Sequence, residues 1–183
     1  MNRFNAITLL VVTYLVVWVQ ATFNEFRDLT GVQLDLLPSL VVYTALRSNL
    51  GGLISVAVFG GLLFDSVSAN PLGVTMLPLF VGGSLIQQAR EFILREQAYA
   101  QMILGLATSA AVPLVSLLIL INVDAKPLIG WFSLWQWLVT SVMGAAFTPL
   151  WFRIFDAIAL VLNYRPVGQS SFRPDREIKR GRN

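Results

Sequence analysis

The sequence predicts an all-α membrane protein built as a bundle of six transmembrane helices. Of its 183 residues, 56% are hydrophobic and only 13% are charged. Several apolar runs approach or exceed the roughly 20 residues that a helix needs to cross a bilayer. A soluble protein of this length could not bury so much apolar surface. We therefore expect one transmembrane domain over residues 1–162, followed by a basic cytoplasmic tail over residues 163–183.

The predicted spans follow from the apolar runs and the polar breaks between them. The first run could be mistaken for a signal peptide, but it is long and ends without a small-residue cleavage site, so we interpret it as a span. A polar loop is expected over residues 24–33. The second and third runs are separated only by Arg47-Ser48-Asn49, which predicts a tight antiparallel pair. The predicted spans are residues 6–23, 34–46, 50–65, 71–88, 98–123 and 131–155.

Two of these spans carry helix-start signals. Asp35 with Pro38 three residues later is typical of a helix cap with proline in the first turn. Asn70 can cap free N–H groups, and Pro71 at the first helical position has no N–H to lose. For Asp35 these signals favour a structural helix start over a functional site.

The acid that ends the third span, Asp65, needs a separate explanation, because a carboxylate there lies at the unfavourable end of the helix dipole. Ala57, Gly61 and Asp65 follow one another at a spacing of four, so the acid shares a face with small residues. We expect the chain to fold back and present Asp65 to the N–H groups that begin the fourth span. A partner-binding or gating role stays open, because an ionisable group at membrane depth is a functional candidate.

Small and aromatic residues indicate further contacts. The Gly and Ser rows on the third, fifth and sixth spans, such as Gly51 with Ser55, would suit either internal packing or a docking groove for a partner's span. The Trp131–Trp137 cluster fits an interfacial aromatic belt or the wall of a ligand cavity. Arg153 and Asp156, three residues apart, are expected to pair.

The distribution of basic residues predicts the topology. With six spans, ten of the 13 Lys and Arg residues fall on the N-terminal side: Arg3, Arg47, Arg90, Arg95 and six in the tail. This asymmetry places both termini in the cytoplasm. We expect the tail to bind anionic lipid, with a cytoplasmic protein as the alternative, rather than nucleic acid. The basic residues assigned to that lipid contact are Arg173, Arg176, Lys179, Arg180 and Arg182.

The composition leaves few routes to catalysis. The chain has no histidine and no cysteine, which removes Ser–His pairs, thiol chemistry and the commonest zinc and haem ligands. It also has no glycine-rich phosphate loop with a lysine. Asp35 and Asp65 lie near one membrane face in the six-span arrangement and could share a proton or a cation, but few polar residues surround them in sequence. We predict no catalytic, cofactor or metal site, and no enzyme.

The order of these features resembles the MreD family of bacterial rod shape-determining proteins. The likeness extends from the first span through Trp151 and is sharpest where Gly-x-x-x-Asp, ending at Asp65, leads into Pro-Leu-Gly. The tail shows no such likeness. The residues assigned to the structural or partner-binding motif are Gly60, Gly61, Asp65, Asn70, Pro71, Gly73, Asp35 and Pro38.

The resemblance implies a non-enzymatic scaffold of the cell-elongation complex in the bacterial inner membrane. Its direct partner would be MreC. MreB, RodA and a class B penicillin-binding protein would join indirectly, so that peptidoglycan-synthesis enzymes are positioned. The implied fold is a six-helix bundle similar to the S components of ECF vitamin transporters. The alternative is an S-component-like small-molecule binding subunit of a transporter. Against it, few polar loop residues could converge on a solute, and the first helix has no Ala-x-x-x-Ala motif.

Overall fold

A computed structural model describes residues 3–22, 25–68, 71–91, 97–123 and 130–162. All regular structure in these residues is helical, which confirms the predicted all-α class. The described residues form seven helices: α1 (Arg3–Thr22), α2 (Glu25–Thr30), α3 (Leu37–Arg47), α4 (Leu50–Val67), α5 (Met76–Ala89), α6 (Ala98–Asn122) and α7 (Trp131–Leu162).

Three of these helices, α4, α6 and α7, are long and apolar enough to cross a membrane. α1 contributes a shorter apolar stretch, Ile7–Thr22, whereas α3 and α5 have only 11 and 14 residues. The predicted polar loop over residues 24–33 is partly wrong, because it contains the short helix α2. α7 also continues past residue 155, where the sixth span was expected to end.

The start of α5 differs from the sequence prediction. Pro71 does not occupy the first helical position, because the helix begins five residues later, at Met76. Between them the chain makes a turn in which the Val74 N–H donates to the Pro71 carbonyl at 3.3 Å. Gly73 has a φ of 94°, a left-handed conformation that glycine adopts without steric cost and that no α-helix contains. Asn70, the predicted cap, lies outside the described residues.

The central element is α3, although it is the shortest of the six apolar helices. Nearly every residue from Leu37 to Leu46 is buried, and α3 contacts α1, α4, α5, α6 and α7. It runs parallel to α7. The Trp151 indole N–H donates to Ser39 Oγ at 2.9 Å, and the Tyr43 ring stacks on Phe155 with centroids 4.2 Å apart. These contacts set the register of α7 against the core.

Two arginines that end helices, Arg47 and Arg90, lie at the end of the bundle where α3 ends. Arg47 Nη2 lies 3.9 Å from Asp156 Oδ1, and Arg90 Nη1 donates to the Ser48 carbonyl at 3.5 Å. The predicted pair of Arg153 with Asp156 is therefore wrong. Because α3 and α7 are parallel, Arg47 reaches Asp156 from the neighbouring helix.

The small residues pack mainly inside the bundle. A Cβ placed on Gly144 of α7 would meet the Ser109 side chain of α6 and lie 3.0 Å from the Gly105 carbonyl oxygen. α6 and α7 therefore touch backbone to backbone. In α4 the row of Ala57, Gly61 and Asp65 is buried, as predicted. Gly51 is exposed, so internal packing does not apply to it, and the alternative of a docking groove stays a prediction for its row.

Candidate functional site

Asp65 forms the hydrogen-bonded joint between α4 and α5. Its side chain is only 2% exposed. Its Oδ2 accepts from the Gly73 N–H at 2.8 Å, and both carboxylate oxygens lie within 3.3 Å of the Thr75 nitrogen. Thr75 is the residue immediately before α5. The expected fold-back of the chain is therefore confirmed, with the acid at the positive end of the next helix rather than only at the negative end of its own.

Two glycines make this joint possible. Gly61, one turn before the acid, lies against the start of α5, where a Cβ would be 2.6 Å from Met76 Cα and 2.9 Å from Met76 N. Only a residue without a side chain allows the two backbones to come this close. Gly73, in its left-handed conformation, turns its own N–H toward the carboxylate. Gly60, beside Gly61, faces Thr13 of α1 and Leu37 of α3 instead.

Asp35 lies just ahead of α3, and its Oδ1 accepts from the Leu37 N–H at 3.2 Å. The residue in the N-cap position is Leu36, which makes no side-chain cap bond. Asp35 therefore binds the first turn of α3 from the position before the N-cap, which is one residue further from the helix than predicted. Pro38 lies in that first turn, as predicted. Gln20 of α1 also reaches Asp35, with its Nε2 donating to Oδ1 at 3.5 Å.

A cavity of about 930 Å³ opens beside Asp35. One wall comes from the end of α1, the loop before α3 and the end of α4, and the opposite wall comes from α6 and the first turns of α7. Within the described residues neither α1 nor α4 contacts α6 or α7, so a space is left between these two pairs of helices. Polar residues that line it include Gln20, Gln33, Asp35, Thr75, Gln136 and Thr140.

The tryptophan cluster contributes unequally to this cavity. Trp137 lines it, and its indole N–H donates to the Ala110 carbonyl of α6 at 2.9 Å. Trp135 points elsewhere and donates to the Thr30 carbonyl at 3.3 Å, which ties α7 to the end of α2. Trp131 is 85% exposed. The two alternatives for this cluster were a cavity wall and an interfacial belt. Trp137 forms part of the cavity wall, and the exposed Trp131 is compatible with a belt.

The sequence analysis missed Gln20 and Thr140 as cavity residues. Gln20 is only 4% exposed, and its Oε1 has no hydrogen-bond partner. A glutamine three residues from the end of an apolar run was the available signal, because a buried polar side chain in such a run requires a reason. The prediction that few polar residues converge on a solute concerned loops, whereas Gln20 and Thr140 lie in helices.

The described residues contain no group of three or more His, Cys, Asp or Glu side chains that could hold a metal ion. Asp35 is bonded to Leu37 and Gln20, and Asp65 to Gly73 and Thr75, so the two acids serve separate helix starts. The basic tail residues, Arg173 through Arg182, lie outside the described residues.

Comparisons of the sequence with protein-family models and with curated proteins, and of the fold with solved structures, returned no match.

Proposed function

We propose that this protein is a non-enzymatic scaffold of the cell-elongation complex, with six membrane spans and both termini in the cytoplasm. It lies in the bacterial inner membrane and binds MreC. Through MreC it helps to position RodA, a class B penicillin-binding protein and the MreB cytoskeleton. The support comes from the likeness to the MreD family at Asp65 and Gly73 and from the geometry of that motif.

The observation that carries this proposal is the set of hydrogen bonds that Asp65 accepts from Gly73 and Thr75. A buried carboxylate engaged by main-chain N–H groups fixes two helices to each other and is not free to react. The motif that carries the resemblance therefore builds a rigid frame. A frame without reactive groups is what a protein needs if its work is to hold other proteins in place.

The proposal of six spans draws on the positions of the described helices. α1 and α3 through α7 overlap the six predicted apolar runs, and α2 alone falls outside them. The two short helices, α3 and α5, are packed among longer neighbours, and polar ends or local thinning of the bilayer can accommodate their length. A similarity to the S components of ECF transporters belongs to this proposal.

Because the glycines of α6 and α7 pack inside the bundle, we expect partner contacts mainly on the outward apolar faces. Leu15 on α1, Leu106 on α6 and Val142 on α7 are each at least two-fifths exposed and represent three such faces. A photo-crosslinking amino acid at each position, followed by affinity purification from native membranes, tests the proposal. We expect MreC to be captured from one face, with the other two positions as matched controls. Capture of an energy-coupling membrane subunit with ATPases, and no MreC, would support a transporter subunit instead.

A further inference from the structure

The cavity beside Asp35 is lined by polar and apolar side chains, with more apolar than polar surface. Gln20 and Asp35 meet at one place, called here its polar end, and Phe64, Val112 and Leu117 are among the apolar side chains of the lining. Its volume of about 930 Å³ is within the range of small-molecule sites, which bury an apolar body and orient it through a few polar groups. The cavity therefore suits an amphiphile rather than a uniformly polar solute.

The polar end offers acceptors that the protein does not satisfy. Gln20 is almost fully buried, yet its Oε1 has no partner among the described residues. Native proteins rarely leave a buried polar atom unpaired, so such an atom indicates a ligand or water. Asp35 makes no ion pair within the described part of the chain, and its bond to Gln20, at 3.5 Å, is long. Both groups are available to a hydrogen-bond donor, and the carboxylate favours one that carries positive charge.

A basic residue lines the same cavity. Arg27 of α2 is exposed and forms part of the wall. A cavity with one acid, one arginine and an apolar side is complementary to a molecule that carries an ammonium group, an anionic group such as a phosphate, and hydrocarbon. A membrane lipid with a zwitterionic headgroup has all three.

We propose that this cavity is a binding site for one aminophospholipid, whose protonated primary amine donates to Asp35 and Gln20 while Arg27 faces its phosphate. The acyl chains lie between α4 and α6, against apolar side chains of both helices. This inference requires that the bundle lies in a membrane, but it does not depend on MreC.

The test compares lipids that differ only in the amine. The full-length protein is incubated with mixed vesicles of phosphatidylethanolamine and phosphatidylcholine with identical acyl chains, and the retained lipid is measured by native mass spectrometry. A trimethylated headgroup keeps the charge but cannot donate a hydrogen bond. Since a hydrogen bond to a charged group strengthens binding substantially, we expect retention of one phosphatidylethanolamine with a preference on the order of tenfold.

Variants assign the preference to the named residues. Asp35→Asn keeps an oxygen for the Leu37 N–H but removes the charge, and we expect it to abolish the preference. Gln20→Leu removes the unpartnered Oε1 and also the Nε2–H that donates to Asp35 at 3.5 Å, and we expect it to weaken the preference. A glutamine that only supports Asp35 would lower the thermal stability when replaced and leave the lipid preference unchanged. Asp28→Asn, which changes an exposed acid on α2 outside the cavity lining, is the matched control and should bind like the unmodified protein.

Four results would overturn the proposal. One is equal retention of the two lipids by the unmodified protein. Another is an unchanged preference in both Asp35→Asn and Gln20→Leu. The third is binding of soluble phosphoethanolamine without any retained lipid, which would make the occupant a small solute. A partner's helix crosslinked into the cavity, with no lipid present, would count in the same way.

Discussion

At the scale of single residues, Asp65 shows how a carboxylate becomes a structural bond. Asp65→Asn retains one side-chain oxygen for Gly73 and Thr75, whereas Asp65→Leu leaves both N–H groups without an acceptor in a buried place. Each unpaired buried donor costs about 1–3 kcal/mol. We therefore expect a clearly lower melting temperature for Asp65→Leu than for Asp65→Asn, measured on purified protein in the same detergent. The corresponding pair of changes at the exposed Asp28 serves as the control. Equal losses for the two Asp65 variants would contradict the hydrogen-bonded joint.

Gly61 provides a second test at this scale, because α4 contains its own control. Gly61→Ala would place a methyl group 2.6 Å from Met76 Cα, so either α5 must move or the bundle must strain. Overpacking of this kind costs about 1–3 kcal/mol. At Gly51 in the same helix, the nearest atom to an added Cβ is Asn49 Oδ1 at 3.8 Å. There alanine should stabilise the helix by about 0.5–1 kcal/mol. Thermal unfolding of both variants gives the comparison. An unchanged melting temperature for Gly61→Ala would mean that α5 does not pack against Gly61.

At the scale of helices, α6 and α7 illustrate close packing through small residues. The Gly144 backbone lies against Ser109 and the Gly105 carbonyl, and the Thr148 hydroxyl donates to the Gly144 carbonyl at 2.7 Å. We predict that Gly144→Ala separates the two helices and lowers the midpoint of thermal unfolding. Gly82→Ala on α5 is the control, since its nearest neighbour, Thr108 Cγ2, would be 3.7 Å away. If both changes had the same small effect, the close approach of α6 and α7 would not be a stabilising contact.

The approximate positions of the six apolar helices could be predicted from hydropathy, because each of them overlaps an apolar run between polar breaks. The fold-back at Asp65 was also predictable, since the acid had to be reconciled with an unfavourable dipole. The delayed start of α5 could not be predicted. Pro71 is compatible with a first helical turn and with an isolated turn, and only the φ of Gly73 distinguishes them. The pairing of Asp156 with Arg47 depends on the parallel packing of α3 and α7, which local spacing does not contain.

The cavity could not be predicted either, because local sequence spacing does not show which helices pack together. Gln20, Asp35 and Thr140 belong to three distant segments, and they line one space because α1 does not contact α6 or α7. Sequence neighbours of each residue are mostly apolar. At the scale of the whole molecule, the joint at Asp65 and the space beside Asp35 adjoin each other, because Phe64, Val67 and Thr75, which surround the joint, also line the cavity.

The absence of cysteine makes the topology of the whole molecule directly testable. Leu72, 70% exposed, lies in the turn before α5, and the exposed Glu91 follows the same helix at its other end. With both termini in the cytoplasm, a single cysteine at position 72 faces outward, and one at position 91 faces the cytoplasm. We expect Leu72→Cys to react with a membrane-impermeant maleimide in intact spheroplasts, and Glu91→Cys to react only after the membrane is permeabilised. The unmodified protein, which cannot be labelled, is the blank. Labelling of both positions from one side would show that α5 does not cross the membrane, and the reverse pattern would invert the proposed orientation.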